Sequence, residues 1–248
     1  KDLLEAVDPV INKANVDLVV KADDAVDVVA DALSDLNQGG IANLRMILQF
    51  QADANLAFGL LGHVLADHAG TDFESLLLEH VSRPLGLPDA RVTLNAEPQQ
   101  RLAGTHNWNH GKTPPLEWET MMAAGGVRST ATDLLRFLAA NMDLSTDLWI
   151  PLQMSHLDRR DTSSSSIQVG LGWHLVQRHG REMIWHSGAT FGNMAFAAFD
   201  KEARRGVVVL SNARGIIDDI GMHLLDSQAK LADFKELEPL PPAVEVPF

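Results

Sequence analysis

The feature that most constrains the fold is a change of hydrophobic period near residue 168. Each apolar run after that point is rich in β-branched or aromatic residues and ends at a tight turn, which is typical of adjacent antiparallel strands. There are four such runs, at residues 171–179, 181–188, 193–200 and 205–212. The last third of the chain is therefore predicted to form an antiparallel meander, closed by a helix at about 217–232.

The chain before these runs has mostly helical periodicity. In residues 55–68, NLAFGLLGHVLADH, apolar side chains recur at helical spacing, and Gly70 can end that helix in the left-handed conformation. Two capping boxes, TDFE at 71–74 and TATD at 130–133, predict the starts of two further helices.

The order of these elements predicts the fold class. Residues 2–36 also follow a helical pattern, whereas residues 88–120 and the serine-rich residues 158–167 are typical of loops. Helices followed by strands and a closing helix predict an α+β fold. We expect a mainly helical lobe at 1–168 and an antiparallel sheet lobe with a C-terminal helix at 169–248, joined in one domain. A cleft between two such lobes is the expected site.

Composition excludes several classes of function. The formal net charge is -13, from 33 acidic and 20 basic residues, so nucleic-acid phosphates would be repelled. The chain has no cysteine, which excludes disulfides, thiolate metal sites and cysteine nucleophiles. No apolar run approaches the ~20 residues of a membrane-spanning helix. The histidines show no metal-binding spacing, so we expect no metal, no cofactor, and no nucleic-acid or membrane partner. The oligomeric state does not follow from the sequence.

Five blocks occur in an order that resembles the β-lactamase-related serine hydrolases. This superfamily contains class C β-lactamases, penicillin-binding proteins and carboxylesterases. One block, AAGGVRSTATDLLRFL at 123–138, is similar to the family's Gly-Gly-x-x-Ser-Thr-x-x-Asp segment. The others lie at 55–65 with 83–87, at 170–175, at 185–193 and at 207–212. The resemblance implies a β-lactamase/transpeptidase-like fold, a helical lobe plus an antiparallel sheet flanked by helices.

The resemblance also implies acyl-enzyme chemistry. In this family a serine of a Ser-x-x-Lys box attacks a carbonyl, the lysine and a Tyr-x-Asn tyrosine move protons, and a Lys-Thr-Gly or His-x-Gly strand lines the cleft. The family match places His186, Ser187, Gly188 and Ala189 on that strand as substrate-binding residues. A glycine there lets the substrate approach the backbone. His186 either donates a hydrogen bond to the substrate or is a strand-end histidine without a task.

The same resemblance assigns catalytic positions to Asp53 and Asn55, which stand at the Tyr-x-Asn box. Asp53 replaces the tyrosine, and a solvated carboxylate with a pKa near ~3.9 is a far weaker base than a phenol near ~10, although burial raises a carboxylate pKa. Asn55 either caps its helix only or caps it and contacts substrate. Gly125 and Gly126 are turn glycines that can also shape the cleft wall.

The nucleophile does not stand where the family has it, because no Ser-x-x-Lys box occurs in the first half of the chain. The one copy is Ser227-Gln228-Ala229-Lys230, which falls inside the predicted last helix and out of the family's order. Asp8-Pro9-Val10 resembles the segment that follows the nucleophile helix. That alignment places the nucleophile before Lys1 and predicts an N-terminally truncated form. A rival alignment puts Val10-Ile11-Asn12-Lys13 over the box, with the serine replaced.

Two functions therefore stay open. The first is a serine hydrolase that cleaves a small ester, amide or peptide through an acyl-enzyme, closer to an esterase or D-amino-peptidase than to a penicillinase. The second is an inactive member, a pseudoenzyme or binding module that keeps the cleft. The missing tyrosine favours the second, and the His186-Ser187-Gly188 strand with Gly125-Gly126 favours the first. The resemblance points to a periplasmic or secreted location, which nothing else in the sequence specifies.

Overall fold

The computed structural model describes residues 42–115, 121–157, 159–162, 164 and 166–232, with side chains described from residue 55 onward. The helices of this part are α1 Ala42–His68, α2 Phe73–Leu77, α3 Ala96–Gln100, α4 Met122–Gly125, α5 Ala131–Asn141, α6 Trp149–Leu157 and α7 Asp218–Leu225. A π-helical segment, Leu78–Ser82, continues α2. The strands are β1 Thr105–His106, β2 Lys112–Thr113, β3 Arg160–Asp161, β4 Ile167–Val169, β5 His174–Arg178, β6 Arg181–Ala189, β7 Met194–Asp200 and β8 Arg205–Ser211. The predictions on residues 2–36, including the segments at 8–10 and 10–13, lie outside the described residues.

Helix α1 begins earlier than predicted. It starts at Ala42, and Asn55 lies in its interior, so the prediction that Asn55 caps the helix is wrong. The physical reason is that residues 42–54 contain no glycine or proline to stop a helix from extending. The C-terminal end is as predicted, since Gly70 has φ +66 and Thr71 N donates to Ala66 O at 3.0 Å.

Helix α2 begins one residue later than its capping box predicts. Asp72, rather than Thr71, is the cap, and its carboxylate accepts a hydrogen bond from Ser75 N at 2.9 Å. Glu74, the acidic residue of the box, does not bond to the cap residue. Its carboxylate instead accepts a hydrogen bond from Thr93 N at 2.9 Å. Glu74 therefore ties the loop that follows to this helix.

The helix start predicted from the second capping box is confirmed, although its acidic residue does not bond back to the cap. The Thr130 side chain caps α5 and accepts from Asp133 N at 3.2 Å. The Asp133 carboxylate is buried and accepts from Asp89 N at 2.7 Å and from Arg136 at 2.9 Å. Asp133 thus connects the loop that contains Asp89 to the first turn of α5.

The sheet has six antiparallel strands in the order β3-β4-β5-β6-β7-β8. Strands β5 to β8 are the four predicted runs, so the meander is confirmed. Part of the serine-rich segment that was predicted as a loop forms β3 and the start of β4. The turn between β5 and β6 is tight because His179 and Gly180 both take positive φ, 49 and 75, as a two-residue hairpin turn requires.

Each face of the sheet buries a different core. One face, with Trp173, Leu175, Ile184 and Phe199, packs against Leu138 of α5. The opposite face packs against Ile217 and Leu225 at the two ends of α7, through residues Met183, Phe196 and Ala198. Side chains that alternate along each strand supply the two cores. The observed α+β architecture, helices with an antiparallel sheet flanked by helices, confirms the predicted fold class.

Helix α7 is shorter than predicted. It ends at Leu225, so Ser227–Lys230 lies in a turn after it, and the prediction that this segment is helical is wrong. The cause is the buried Asp226, whose carboxylate contacts His179 Nδ1 at 2.8 Å and Arg181 at 3.6 Å. These bonds hold residue 226 against the sheet in an extended conformation.

The close packing of α7 on the sheet depends on Gly221. A Cβ at this position would lie 2.8 Å or less from three ring atoms of Phe196. We expect Gly221→Ala to lower the free energy of unfolding by about 2–3 kcal/mol through overpacking, although alanine normally stabilises a helix. Urea unfolding checks this. Gly215→Ala is the matched control, because its Cβ would meet nothing within 4 Å, and equal stabilities of the two variants would contradict the prediction.

A buried polar cluster lies between α6 and the β7–β8 turn. His156 is fully buried, and its Nδ1 lies 2.8 Å from Lys201 Nζ, which also donates to Gln153 Oε1 at 3.0 Å. Burial, and then the charges of Lys201 and Arg159, lower the pKa of His156 to about 4. The imidazole is therefore neutral near neutral pH, and its Nδ1 accepts a hydrogen bond from the Lys201 ammonium group.

This cluster makes stability depend on pH. In the unfolded chain His156 binds a proton below about pH 6.5, but in the folded chain only below about pH 4. The contribution of His156 to the free energy of unfolding is therefore fully present above about pH 6.5. It is lost progressively towards pH 4, by at most about 3 kcal/mol. Urea unfolding across this range is expected to show a smaller decline for His156→Gln, which does not titrate. An equal decline in both proteins would contradict the assignment.

Candidate active site at the open edge of strand β6

Strand β6 extends past the start of its neighbour β5. Strand β5 begins at His174, opposite Trp185, and beyond this point β6 pairs only with β7 within the described residues. Gly172, with φ +82, turns the chain just before β5. Leu171 N then donates to Ser155 O of α6 at 2.7 Å. These two features draw the preceding segment away from β6 and leave one edge of β6 open.

The open edge presents specific main-chain groups. In the turn after β6, Thr190 N donates to Asn193 O at 2.9 Å, so the main chain of Thr190 faces β7. Successive residues of an antiparallel strand face alternate neighbours. Gly188 therefore also faces β7, whereas the N–H and C=O groups of Ser187 and Ala189 face the open edge. An extended peptide or acyl group can bond there as an added strand.

The sequence-predicted substrate-binding residues are accessible on this strand. His186, Gly188 and Ala189 are exposed, and Ser187 is half-buried. A Cβ built on Gly188 would meet nothing within 4 Å, so packing inside the protein does not require glycine here. The space beside residue 188 is open to a ligand.

A small hairpin supports the end of β6. Its two strands, β1 and β2, pair Thr105 with Thr113, in a segment that was predicted to be irregular. The hairpin packs on the β6–β7 turn at Gly192, where a Cβ would lie 2.6 Å from Thr105 Cβ. His106 N donates to Asn212 O at 2.9 Å, just after β8. The hairpin therefore connects two neighbouring strand ends.

Arg214 fixes the same end of β6. Its guanidinium donates to Thr190 O at 2.9 Å and lies 5.4 Å from the ring centroid of Trp108. Its main-chain N–H donates to His106 O at 3.0 Å. The last residues of β6 are thus held in place from outside the sheet, although one edge has no neighbour among the described residues.

Three rings are stacked where the edge opens. The His174 ring lies 4.7 Å from the Trp185 ring and 5.4 Å from the His186 ring, at interplanar angles of 25° and 28°. Trp185 stacks in turn on Phe196 at 6.0 Å. The His186 imidazole is therefore connected to the sheet core through aromatic contacts.

Both histidines of this stack are disposed to be neutral. Burial lowers the pKa of His174, while a bond to the Trp185 main chain and the charge of Asp218 oppose that shift. Although His186 is exposed as a residue, its ring is covered on the His174 side. Desolvation, and then the positive charge of a protonated His174, lower the pKa of His186, against the opposing charge of Asp218. A neutral imidazole can donate or accept a hydrogen bond at the edge.

The other predicted site residues lie in the helical part. Gly125 ends α4 and Gly126 follows it, and a Cβ on Gly126 would lie 2.9 Å from Met122 O, so close backbone packing requires glycine there. Helix α4 packs on α1, which carries Asn55. Asp53 also lies in α1, and its side chain is outside the described part. That Asn55, Gly125 and Gly126 share one cleft with β6 stays a prediction.

Sequence reasoning missed His174 and Gly172. Both occur in the GLGWHL block, so their identity was visible. Their effect on the site could not be predicted, because it depends on the register that pairs His174 with Trp185.

Within the described residues, no group of three or more His, Asp or Glu side chains could hold a metal ion. No helix among them is long and apolar enough to span a membrane.

Comparison with known proteins decides the family. The profile of the Beta-lactamase family matches residues 54–225, which is more than half of the chain and contains both the open β6 edge and α7. The chain belongs to the beta-lactamase family.

Curated relatives agree with this assignment. The chain is 25% identical over 173 residues to the D-alanyl-D-alanine-carboxypeptidase/endopeptidase AmpH of Escherichia coli (strain K12), covering 64% of this chain and 44% of that protein. It is 24% identical over 200 residues to a beta-lactamase of Yersinia enterocolitica, covering 64% of this chain and 50% of that protein. The chain thus spans about half the length of these relatives.

Solved structures show the same fold. A beta-lactamase/D-alanine carboxypeptidase from Pseudomonas syringae matches with a TM-score of 0.64 at 19% identity, over 71% of this chain and 59% of that chain. A class C beta-lactamase in complex with cefoxitin matches with a TM-score of 0.62 at 22% identity, over 70% of this chain and 58% of that chain. These matches confirm the β-lactamase/transpeptidase-like fold.

Proposed function

We propose that this chain forms the substrate-binding wall of a serine hydrolase that cleaves a small ester, amide or peptide through an acyl-enzyme. The observation that carries the proposal is the open edge of β6, with the main-chain groups of Ser187 and Ala189 directed outward. Family membership supplies the chemical class. No metal or cofactor takes part in the proposed reaction.

The open edge suits acyl transfer because it provides preorganised donors and acceptors. A carbonyl oxygen gains negative charge during attack, and a fixed N–H directed at that oxygen stabilises the charge. The Ala189 N–H is fixed in this way, because the next residue, Thr190, is held by Asn193 and Arg214. The adjacent C=O groups can bind the N–H of a peptide substrate. Ala189 thus both orients the substrate and stabilises the oxyanion in this proposal.

We propose a preference for esters or D-amino peptides over penicillins. The support is His186, in the position where the family's β-lactamases have lysine, and the similarity to a D-alanyl-D-alanine carboxypeptidase/endopeptidase. A neutral imidazole donates a hydrogen bond without the permanent charge of an ammonium group. Asn55 contributes an amide to the same substrate, and Gly125 and Gly126 shape the opposite wall.

The alternative proposal is a non-catalytic member of the family that binds such ligands without cleaving them. The absence of tyrosine from the whole sequence and the aspartate at position 53 favour it. A Ser-x-x-Lys box stands only at Ser227–Lys230. That segment follows α7 in a turn and has no regular helical spacing to bring the two side chains onto one face.

Covalent probes separate the two proposals. The 248-residue chain is expected to give no adduct with a fluorophosphonate or a fluorescent penicillin, because no Ser-x-x-Lys box stands in the family position. The proposed hydrolase requires a form with a Ser-x-x-Lys box in the family position, and such a form is expected to be labelled once per chain and to cleave a D-alanyl ester or peptide faster than a cephalosporin. Intact mass and peptide mapping measure this. A stoichiometric adduct on Ser187 or Ser227 would contradict this assignment of the nucleophile.

The main-chain role of Ala189 has its own test. Ala189→Pro removes the N–H but leaves the β6–β7 ladder intact, because that N–H faces the open edge. We expect the affinity for N-acetyl-D-alanyl-D-alanine, measured by NMR titration, to fall by about fivefold or more through one lost hydrogen bond. Ala189→Ser keeps both main-chain groups and is expected to bind better than Ala189→Pro.

Gly188→Pro is the structural comparison for this test. Its N–H faces β7 opposite Ala195, so this variant is expected to lose thermal stability, whereas Ala189→Pro is expected to melt close to the wild type. Unchanged peptide affinity in a folded Ala189→Pro would overturn the role of this edge.

A further inference from the structure

His174 occupies a distinctive place beside the candidate site. It is the first residue of β5 and pairs with Trp185, so it is the last partner of β6 before the edge opens. Its ring stacks on the ring of Trp185, which packs against the core beneath α7, and also on the ring of His186.

The contacts of His174 are mostly ring to ring. Its Nδ1 is buried and has no hydrogen-bond partner among the described residues, so hydrogen bonding at Nδ1 does not set the plane of this ring. The near-parallel stack on Trp185, at 4.7 Å and 25°, and the hydrogen bond to the Trp185 main chain hold that plane. The Trp185 ring is fixed in turn by Phe196, which is fully buried.

We propose that His174 is a positioning residue that holds the His186 imidazole beside the open edge of β6, where His186 contacts the ligand. The inference rests on the proposed function for the role of His186 as a ligand contact. The geometric part, in which one imidazole orients the other, stands on the stack itself. This geometric part does not depend on any residue that faces β6 across the open edge.

The stack also couples the charges of the two rings. The groups that act on His186 are His174 from β5 and Asp218 from the N-terminus of α7, with opposite effects on its pKa. Trp185 is uncharged. Removing His174 therefore removes a positive neighbour and part of the desolvation, and both changes raise the pKa of His186.

NMR on the 248-residue chain tests this inference without requiring activity. The His186 imidazole signal is assigned by its loss in His186→Asn and is followed against pH in the wild type, His174→Phe and His174→Ala. Phenylalanine keeps a planar ring without a charge, whereas alanine removes both. The exposed His80 supplies the matched control, His80→Phe.

The two His174 variants have different expected signatures. In both, the pKa of His186 is expected to rise, and His80→Phe is expected to leave it unchanged. In His174→Ala alone, the ring signal of His186 is expected to move towards the shift of a free histidine, and affinity for N-acetyl-D-alanyl-D-alanine to fall several-fold. His174→Phe is expected to restore most of that affinity.

Two results would overturn the inference. One is a His186 ring signal in His174→Phe at the shift of a free histidine, because phenylalanine keeps the stacking ring; this result also decides the matter if His174→Ala does not fold. The other is an unchanged His186 signal in a folded His174→Ala. If the wild type does not bind the peptide, the proposed function fails, while the ring signal of His186 still decides whether His174 positions it.

Discussion

The separation of β5 from β6 at Gly172 is the constraint on which the candidate site depends. An antiparallel sheet normally satisfies every inner strand on both edges, and an unpaired edge tends to recruit another chain. Here β6 is an inner strand for most of its length and becomes an open edge only after Trp185. A short, exposed edge of this kind is available to a small ligand while the rest of the strand stays locked in the sheet.

Rigidity of that edge comes from its surroundings. The two faces of the sheet are buried against α5 and α7, and the hairpin at 105–113 with Arg214 fixes the strand end. At the opposite end of β6, Arg181 pairs at 2.8 Å with Asp200, which is fully buried. Removal of one partner from such a pair leaves a buried charge uncompensated, so this end too resists displacement. The main-chain groups at Ser187 and Ala189 are therefore preorganised.

Family membership and the site geometry bear on different parts of the chemistry. In the proposed function the β6 edge supplies recognition and a place for an oxyanion. The family's nucleophile belongs to a Ser-x-x-Lys box that this sequence does not show in the family position. The chain spans about half the length of its curated relatives. A wall of this kind can serve a hydrolase or a binding protein equally well. A hydrolase differs from a binding protein in having a nucleophile that faces this wall.

The sequence by itself determined the elements whose causes are local. The meander follows from β-rich runs between tight turns, the end of α1 from Gly70, and the start of α5 from Thr130. Tertiary structure decided what local patterns cannot encode. Asn55 is not a cap because the helix continues before it, α7 stops early because Asp226 bonds to the sheet, and His174 meets His186 through strand register. Hydrogen bonds within a turn or cap join residues close in sequence, whereas the open edge of β6 depends on which distant segments pair and where that pairing ends.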